Sequence, residues 1–223
     1  MTEKELEPHC WYSEVDCVIF VDKSLLINHY NIEVGFLPAH SNPVIHDMAL
    51  EKIEMFFNLL MKNSVVVKKS DYDTEFPIML TNNILMIPDT LNDQTVGAAI
   101  FSKLVAIVGD DLEIDHVKIS SELGRGIRYT IFDNSPELTE LLPTKKDWWK
   151  DAKVKFEPWW MRSDTATYDR LINRDEIYEG EFVWDEYFKE ELESIRKTQE
   201  AEAIAKGKFK IINGGKDEDK QPK

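Results

Sequence analysis

The chain has 223 residues, 43% hydrophobic and 31% charged, which is typical of a globular protein and excludes a disordered or fibrous one. No run approaches the roughly 18 apolar residues of a membrane-spanning helix, and the acidic N-terminus lacks the apolar stretch of a signal peptide. The net charge of −15 repels nucleic acid at long range. It favours a basic partner, mimicry of a nucleic acid, or simply solubility. With two cysteines, Cys10 and Cys17, we expect reduced thiols in a cytosol.

The first ninety residues predict alternating strands and one amphipathic helix. Asn42-Pro43 is a typical helix start, and apolar residues then recur at three- and four-residue steps, which predicts a helix over 43–62. Runs rich in Val, Ile, Leu and Phe predict the strands. They lie at 15–21, within 25–36, at 64–69 and at 83–88.

A second helix is predicted over 92–108, with Thr90 to Asp93 as a start related to the capping box and Gly109 as its C-cap. Apolar residues lie nearly all round this helix, so we expect it to be buried, with Gly97 allowing another backbone to approach closely. Two strands follow, at 112–120 and 127–132, joined by the glycine-rich turn 124–126. A short helix, 135–142, ends before a proline.

The remaining residues differ in composition and predict separate regions. We expect an α+β core, in which a mixed or antiparallel sheet packs on two main helices, followed by an extended arm and a charged helix. The predicted regions are the core at 10–142, a Trp-rich basic arm at 143–182, the charged helix at 183–206 and a disordered tail at 207–223.

Common catalytic and cofactor motifs are absent from the sequence, including the glycine-rich phosphate loops and the His-Glu-x-x-His metalloprotease motif. His9, Cys10 and Cys17 supply a nitrogen and two sulfurs within nine positions, and a zinc site would need a fourth ligand such as His29. This spacing matches no common zinc motif, and burial of Cys17 inside a strand explains it equally well. No metal site, cofactor or catalytic residue is therefore predicted.

Carboxylates suggest the alternative of a metal-dependent nuclease or another hydrolase. Asp16, Asp22, Glu33 and the His46-Asp47 pair are the candidates, because such enzymes place carboxylates at strand ends to bind Mg²⁺. Asp16 and Asp22, however, are six residues apart in one strand and lie roughly 20 Å from each other. They cannot share an ion.

One segment, 143–174, is net basic, with 8 basic and 5 acidic residues, and it holds four of the six tryptophans. Tryptophan and arginine dominate interface hot spots, which favours a protein-binding arm. Stacking on single-stranded nucleic acid and packing of the tryptophans onto the core stay open as alternatives. The predicted partner-binding residues are Trp148, Trp149, Trp159, Trp160, Lys145, Lys146, Lys153, Lys155 and Arg162.

The stretch 87–107 contains Asp-Gln, a glycine three residues on, and Phe-x-Lys-Leu-x-Ala-Ile, and a glycine-rich hairpin follows up to Tyr129. This pattern resembles uncharacterised proteins of large tailed bacteriophages. The resemblance implies a protein of the infected bacterial cytoplasm or of the virion, and it implies no activity. The leading hypothesis is therefore a non-enzymatic interaction protein, a virion component or host-directed inhibitor, that binds a protein partner or a second copy and no membrane.

Overall fold

The computed structural model describes residues 8–75, 83–88, 90–141, 158–162 and 184–212. The chain divides into two compact units, residues 1–183 and residues 184–223. The first unit contains β1 (His9–Val21), β2 (Ser24–Pro38), α1 (Pro43–Met55) with a π-helical continuation (Phe56–Met61), β3 (Val65–Lys68), α2 (Lys69–Glu75), β4 (Ile84–Ile87), α3 (Asp93–Val108), β5 (Leu112–Ser121), β6 (Tyr129–Phe132), α4 (Pro136–Leu141) and a 3₁₀ turn (Trp159–Met161). The second contains α5 (Trp184–Tyr187) and α6 (Lys189–Ile212).

The strands form one mixed sheet of six, in the order β4-β3-β1-β2-β5-β6. β1, β2, β5 and β6 pair antiparallel, whereas β3 runs parallel to β1 and β4 parallel to β3. The turn between β1 and β2 consists of Asp22 and Lys23, both at positive φ (49° and 61°), which suits a two-residue hairpin. The predicted α+β fold with a mixed sheet is confirmed.

Alternation along β1 and β2 gives the sheet an inner and an outer face. Val15, Cys17, Tyr30, Ile32 and Val34 are all buried and point to the inner face, where the helices pack. Residues one position away point to the outer face and are mostly exposed or half-buried. β1 begins at His9, six residues before the predicted strand. Its first six residues are exposed or half-buried, so they lack the apolar run that indicates a strand in the sequence.

Helix α3 is the central helix of the first unit. Its N-cap is Asn92, whose side chain accepts from the backbone N–H of Thr95 at 2.9 Å, while Thr95 Oγ1 accepts from the N–H of Asn92. The cap is thus two residues later than the predicted start at Thr90. A Cβ on Gly97 would lie 2.7 Å from Ile119 Cγ2, so this glycine permits the predicted close approach of α3 to the sheet. Leu104 is fully buried.

Helix α1 begins where the sequence predicts, and Asn42 Oδ1 accepts from the N–H of Val44 at 3.0 Å. Its last turn widens into the π-helical segment, which the periodicity does not indicate. There Phe57 stacks on Trp11 with ring centroids 5.1 Å apart. The short helix α2 was not predicted. Its Tyr72 covers part of the outer face at the β3–β4 end, against residues such as Phe20.

Residues 158–162 belong to the core of the first unit, and this corrects both the predicted boundary at 142 and part of the predicted contact surface. Trp159 is 1% exposed and donates from Nε1 to the carbonyl of Met86 at 2.6 Å. Trp160 and Arg162 are also buried. The fully buried Lys103 of α3 donates from Nζ to the carbonyl of Arg162 at 2.9 Å, which fixes the end of the segment.

In the second unit, α6 continues to Ile212, beyond the predicted end at 206. Its exposed surface carries ion pairs one turn apart, Arg196 with Glu200 and Lys197 with Glu193. Of the helices in the described part of the chain, none is long and apolar enough to cross a bilayer.

Candidate functional site

The outer face of β1, β2 and β5 places residues from distant parts of the sequence side by side. The register pairs Tyr12 with Glu33 and Glu33 with Lys118, so these three form one row across the strands. Cys10, Gly35 and His116 form the next row. Because outward residues of paired strands stand next to each other, the two rows combine into one polar cluster.

The Glu33 carboxylate lies at the centre of this cluster. Its Oε1 accepts from Lys118 Nζ at 2.5 Å, lies 3.1 Å from His116 Nε2, and is 3.8 Å from Cys10 Sγ. The hydrogen bond from Lys118 is the largest influence, and with the contact to His116 it outweighs partial burial and lowers the pKa of Glu33 to about 2. Glu33 is therefore a carboxylate at every physiological pH.

His116 is held in place from three sides. Its Nδ1 lies 2.5 Å from Asp115 Oδ2, and its ring packs against Phe132 with centroids 5.9 Å apart. A Cβ at position 35 would lie 2.2 Å from His116 Cε1, so the ring occupies space that only glycine leaves. The register also shifts between Gly35 and Phe36, and this irregularity leaves Asp115 without a partner on β2. Such bulges re-aim side chains, and here the bulge sets Asp115 beside the imidazole.

A shallow cleft of about 400 Å³ lies beside the cluster on the same face. Tyr12 and Arg128 border it, together with Glu33 and Lys118. Tyr12 is 68% exposed, and the negative charge of Glu33 is the main cause that raises the pKa of its phenol. The cleft thus has an aromatic wall and groups of both charges.

The sequence-predicted metal candidates do not come together. Cys17 points to the inner face, donates from Sγ to the carbonyl of Met61 at 3.3 Å, and burial raises its pKa to about 11. His9 stacks on Phe36, a buried residue of the inner face. Cys10 instead points outward and joins Glu33 and His116, so the four residues His9, Cys10, Cys17 and His29 cannot share an ion.

The carboxylates are also scattered. Asp16 contacts His29, with Oδ1 and Nδ1 2.8 Å apart, whereas Asp22 lies in the hairpin turn at the other end of β1. Asp47 stands beside His46 in the first turn of α1. Within the described ranges, one group of three or more metal-ligating side chains converges, Cys10, Glu33 and His116, and it contains a single carboxylate. The arrangement of paired carboxylates that the nuclease alternative needs is not found there.

The structure divides the predicted partner-binding residues. Trp159, Trp160 and Arg162 are buried, as described above, and this corrects their assignment to a contact surface; for Trp159 and Trp160 it agrees with the alternative of packing onto the core. The other members lie outside the described residues: Trp148, Trp149, Lys145, Lys146, Lys153 and Lys155.

A second polar cluster, near the N-terminus of α3, is buried and well satisfied. Ser121 Oγ donates to the Asp93 carboxylate, lying 2.8 and 2.9 Å from its two oxygens, and accepts from the N–H of Gly124 at 3.0 Å. A Cβ at Gly124 would overlap Asp93, so the glycine of this turn is required by packing. Burial raises the pKa of Asp93. This cluster joins α3 to the β5–β6 turn and is structural.

Sequence reasoning missed His116, Asp115 and Lys118, the residues that complete the outer cluster. Their signal was present but weak: histidine and lysine alternate at 116 and 118 in a strand that pairs with the one containing Glu33. The register between β2 and β5 brings them together with Glu33, which is 83 residues from His116 and 85 from Lys118 in the sequence.

No family model matches the chain, and no curated protein matches it. Among solved structures, it is similar to 6-pyruvoyltetrahydropterin synthase from Plasmodium vivax, with a TM-score of 0.41 and 12% identity over 57% of this chain and 98% of that one. Two catalytic-residue mutants of the same enzyme match with a TM-score of 0.40 and 11% identity, over the same shares. These values are too low to transfer a fold family or an activity.

Proposed function

We propose that this protein is a non-enzymatic interaction protein that binds a protein partner on the outer face of its sheet. The observation that carries the proposal is the exposure of large apolar side chains on that face. Tyr12 and Phe132 are exposed beside the Glu33 cluster, and Ile27, which is 79% exposed, stands on the same face six to eight residues along β2 from them. Apolar and aromatic residues next to charged ones are typical of the core and rim of a protein interface.

Two properties of the face, and the charge of the whole chain, support a protein partner. Its strands are rigidly paired over long stretches, so a partner would meet a preorganised surface and lose little entropy in ordering it. The cleft between Tyr12 and Arg128 offers a recess for a protruding side chain. The net charge of −15 favours a partner that is basic.

The basic segment remains a proposed second part of the contact surface. Trp148 and Trp149, flanked by Lys145, Lys146, Lys153 and Lys155, lie outside the described residues and keep the role that the sequence predicts. Trp159 and Trp160 are buried in the core and are not part of this proposed surface. Replacing Trp148 and Trp149 together by alanine should weaken partner binding without changing the free energy of unfolding.

The proposal is tested by capture of a defined partner from the native host with matched surface variants. Ile27→Asp places a charge on the outer face, and Leu59→Asp places the same charge at a 59% exposed position of the π-helical segment. We expect one partner to be retained by the wild type and by Leu59→Asp and to be lost from Ile27→Asp. Equal retention by all three proteins would contradict the proposal.

Self-association is separated from partner binding by sedimentation. A wild-type protein that dimerises with increasing concentration, and an Ile27→Asp variant that does not, would show that a second copy occupies the face instead. Unfolding curves of both variants should coincide with that of the wild type, since exposed substitutions change stability by about 0.5 kcal/mol or less.

A further inference from the structure

The cluster on the outer face has the donor atoms and the spacing of a transition-metal site. One sulfur, one nitrogen and one carboxylate oxygen, from Cys10, His116 and Glu33, all lie within 4.8 Å of one another. Around a tetrahedral zinc ion, ligand atoms about 2.0–2.3 Å from the metal are roughly 3.3–3.8 Å apart. The observed separations of 3.1 and 3.8 Å from Glu33 Oε1 are close to that range. The third separation, between Cys10 Sγ and the His116 ring nitrogen, is at most 4.8 Å, so side-chain movements of about 1 Å bring all three donors to that range.

His116 also has the orientation that a metal ligand needs. Metal-binding histidines commonly donate their second ring N–H to a carboxylate, which fixes the tautomer and raises the basicity of the coordinating nitrogen. Asp115 Oδ2 stands 2.5 Å from Nδ1, so that Nε2 is directed at the other two donors. The bulge at Asp115 of β5, opposite Gly35 and Phe36, places the Asp115 carboxylate beside Nδ1. This contact is a separate observation from the proximity of the three donors.

The donor set selects the metal. A thiolate and an imidazole disfavour Mg²⁺ and Ca²⁺, which prefer oxygen ligands, and suit Zn²⁺ with its borderline-soft character. Three protein ligands leave a fourth position for water or for a group of a partner. The accessible side chain of Cys10 gives the ion an entry path from solvent.

Lys118 competes with a metal ion for the Glu33 carboxylate. Its ammonium group contacts the same Glu33 oxygen at 2.5 Å and supplies a positive charge to the carboxylate. We propose that Cys10, Glu33 and His116 bind Zn²⁺, and that Lys118 neutralises Glu33 when the metal is absent. On binding, the Cys10 thiol releases its proton to solvent, the thiolate coordinates the ion, and Lys118 moves toward the cleft.

The inference is independent of the proposed partner, because it concerns binding of the metal alone. The full-length protein is stripped with a chelator, dialysed, and titrated with Zn²⁺ by calorimetry and with Co²⁺ by absorbance. We expect one ion per chain and a thiolate-to-Co²⁺ charge-transfer band that disappears in Cys10→Ser. Asp115→Asn removes the hydrogen-bond partner of a ligand and should weaken zinc binding roughly 10–100-fold. Glu33→Gln removes a ligand itself and should weaken zinc binding by more than this.

Two further variants sharpen the test. His29→Gln changes a histidine on the same face that contacts Asp16, outside the donor set, and should leave zinc affinity unchanged. Lys118→Met removes the competing cation and should tighten zinc binding several-fold. Absence of the charge-transfer band in the wild type would overturn the proposal. Equal zinc affinity in the wild type and in Cys10→Ser would also overturn it. Because Cys10 is exposed, its replacement by serine should not prevent folding.

Discussion

Replacement of Trp159 tests whether the segment 158–162 is part of the core. The indole is fully buried, stacks on Phe56 with centroids 6.3 Å apart, and donates to the carbonyl of Met86. Truncation of a buried tryptophan to alanine costs about 3–5 kcal/mol, and leaving a buried carbonyl unpaired adds about 1–3 kcal/mol. Trp159→Ala should therefore lose about 4–8 kcal/mol, a large part of the 5–15 kcal/mol that is typical of a domain.

Because that loss can unfold the protein outright, Trp159→Phe is the more informative variant. Phenylalanine keeps an aromatic ring against Phe56 but lacks the N–H, so we expect a loss of about 1–3 kcal/mol from the unpaired carbonyl and a further loss from the smaller ring. Urea denaturation followed by far-ultraviolet circular dichroism measures it, with Ile27→Ala as an exposed control that should change stability by about 0.5 kcal/mol or less. A loss below about 1 kcal/mol in Trp159→Ala would refute the assignment of this segment to the core.

Three further predictions follow from buried and clustered groups. In the native protein at neutral pH a thiol reagent should modify Cys10 alone, because Cys17 is buried with a pKa raised to about 11; in denaturant both should react, and two fast thiols in the folded state would contradict the packing of β1. Burial raises the pKa of Asp93, so the folded protein holds a proton there more tightly than the unfolded chain does. The protonated side chain therefore adds to the free energy of unfolding fully below the ordinary carboxyl pKa of about 3.9, and this addition is lost as pH rises through the raised pKa of the folded state. Asp93→Asn should remove this part of the pH dependence of unfolding, and identical pH profiles would contradict it. Gly35→Ala should displace the His116 ring, lower stability by about 1–3 kcal/mol in urea denaturation and abolish the Co²⁺ charge-transfer band; unchanged values of both would show that the ring tolerates a Cβ there.

Local signals predicted most of the elements but not their arrangement. The sequence predicts the helix ends at Asn42-Pro43 and at Gly109 because helix capping depends only on residues that are adjacent in the chain. The first six residues of β1 are exposed or half-buried on both faces, so they lack the alternation of buried and exposed residues that predicts a strand, and their pairing partners lie on β2. The π-helical segment after α1 keeps an apolar spacing compatible with an ordinary helix.

The candidate site could not be predicted because it depends on register. The sequence places Cys10 beside His9 and Cys17, whose side chains point to the other face, and it offers Glu33 only carboxylates that lie elsewhere, such as Asp22 in the hairpin turn. Trp159 illustrates the same limit in the core. Its segment has no periodicity, and the contacts that bury the indole, with Phe56 and with the carbonyl of Met86, come from parts of the chain far away in the sequence.

The central claim, that the outer face of the sheet is the contact surface, is tested most directly by photo-crosslinking. A photoreactive amino acid is placed at Ile27 in one protein and at Leu59 in another, both exposed positions of the first unit. Irradiation in the native host, followed by mass spectrometry, should give one crosslinked protein from position 27 and only background from position 59. A specific adduct from position 59 with background from position 27 would contradict the claim.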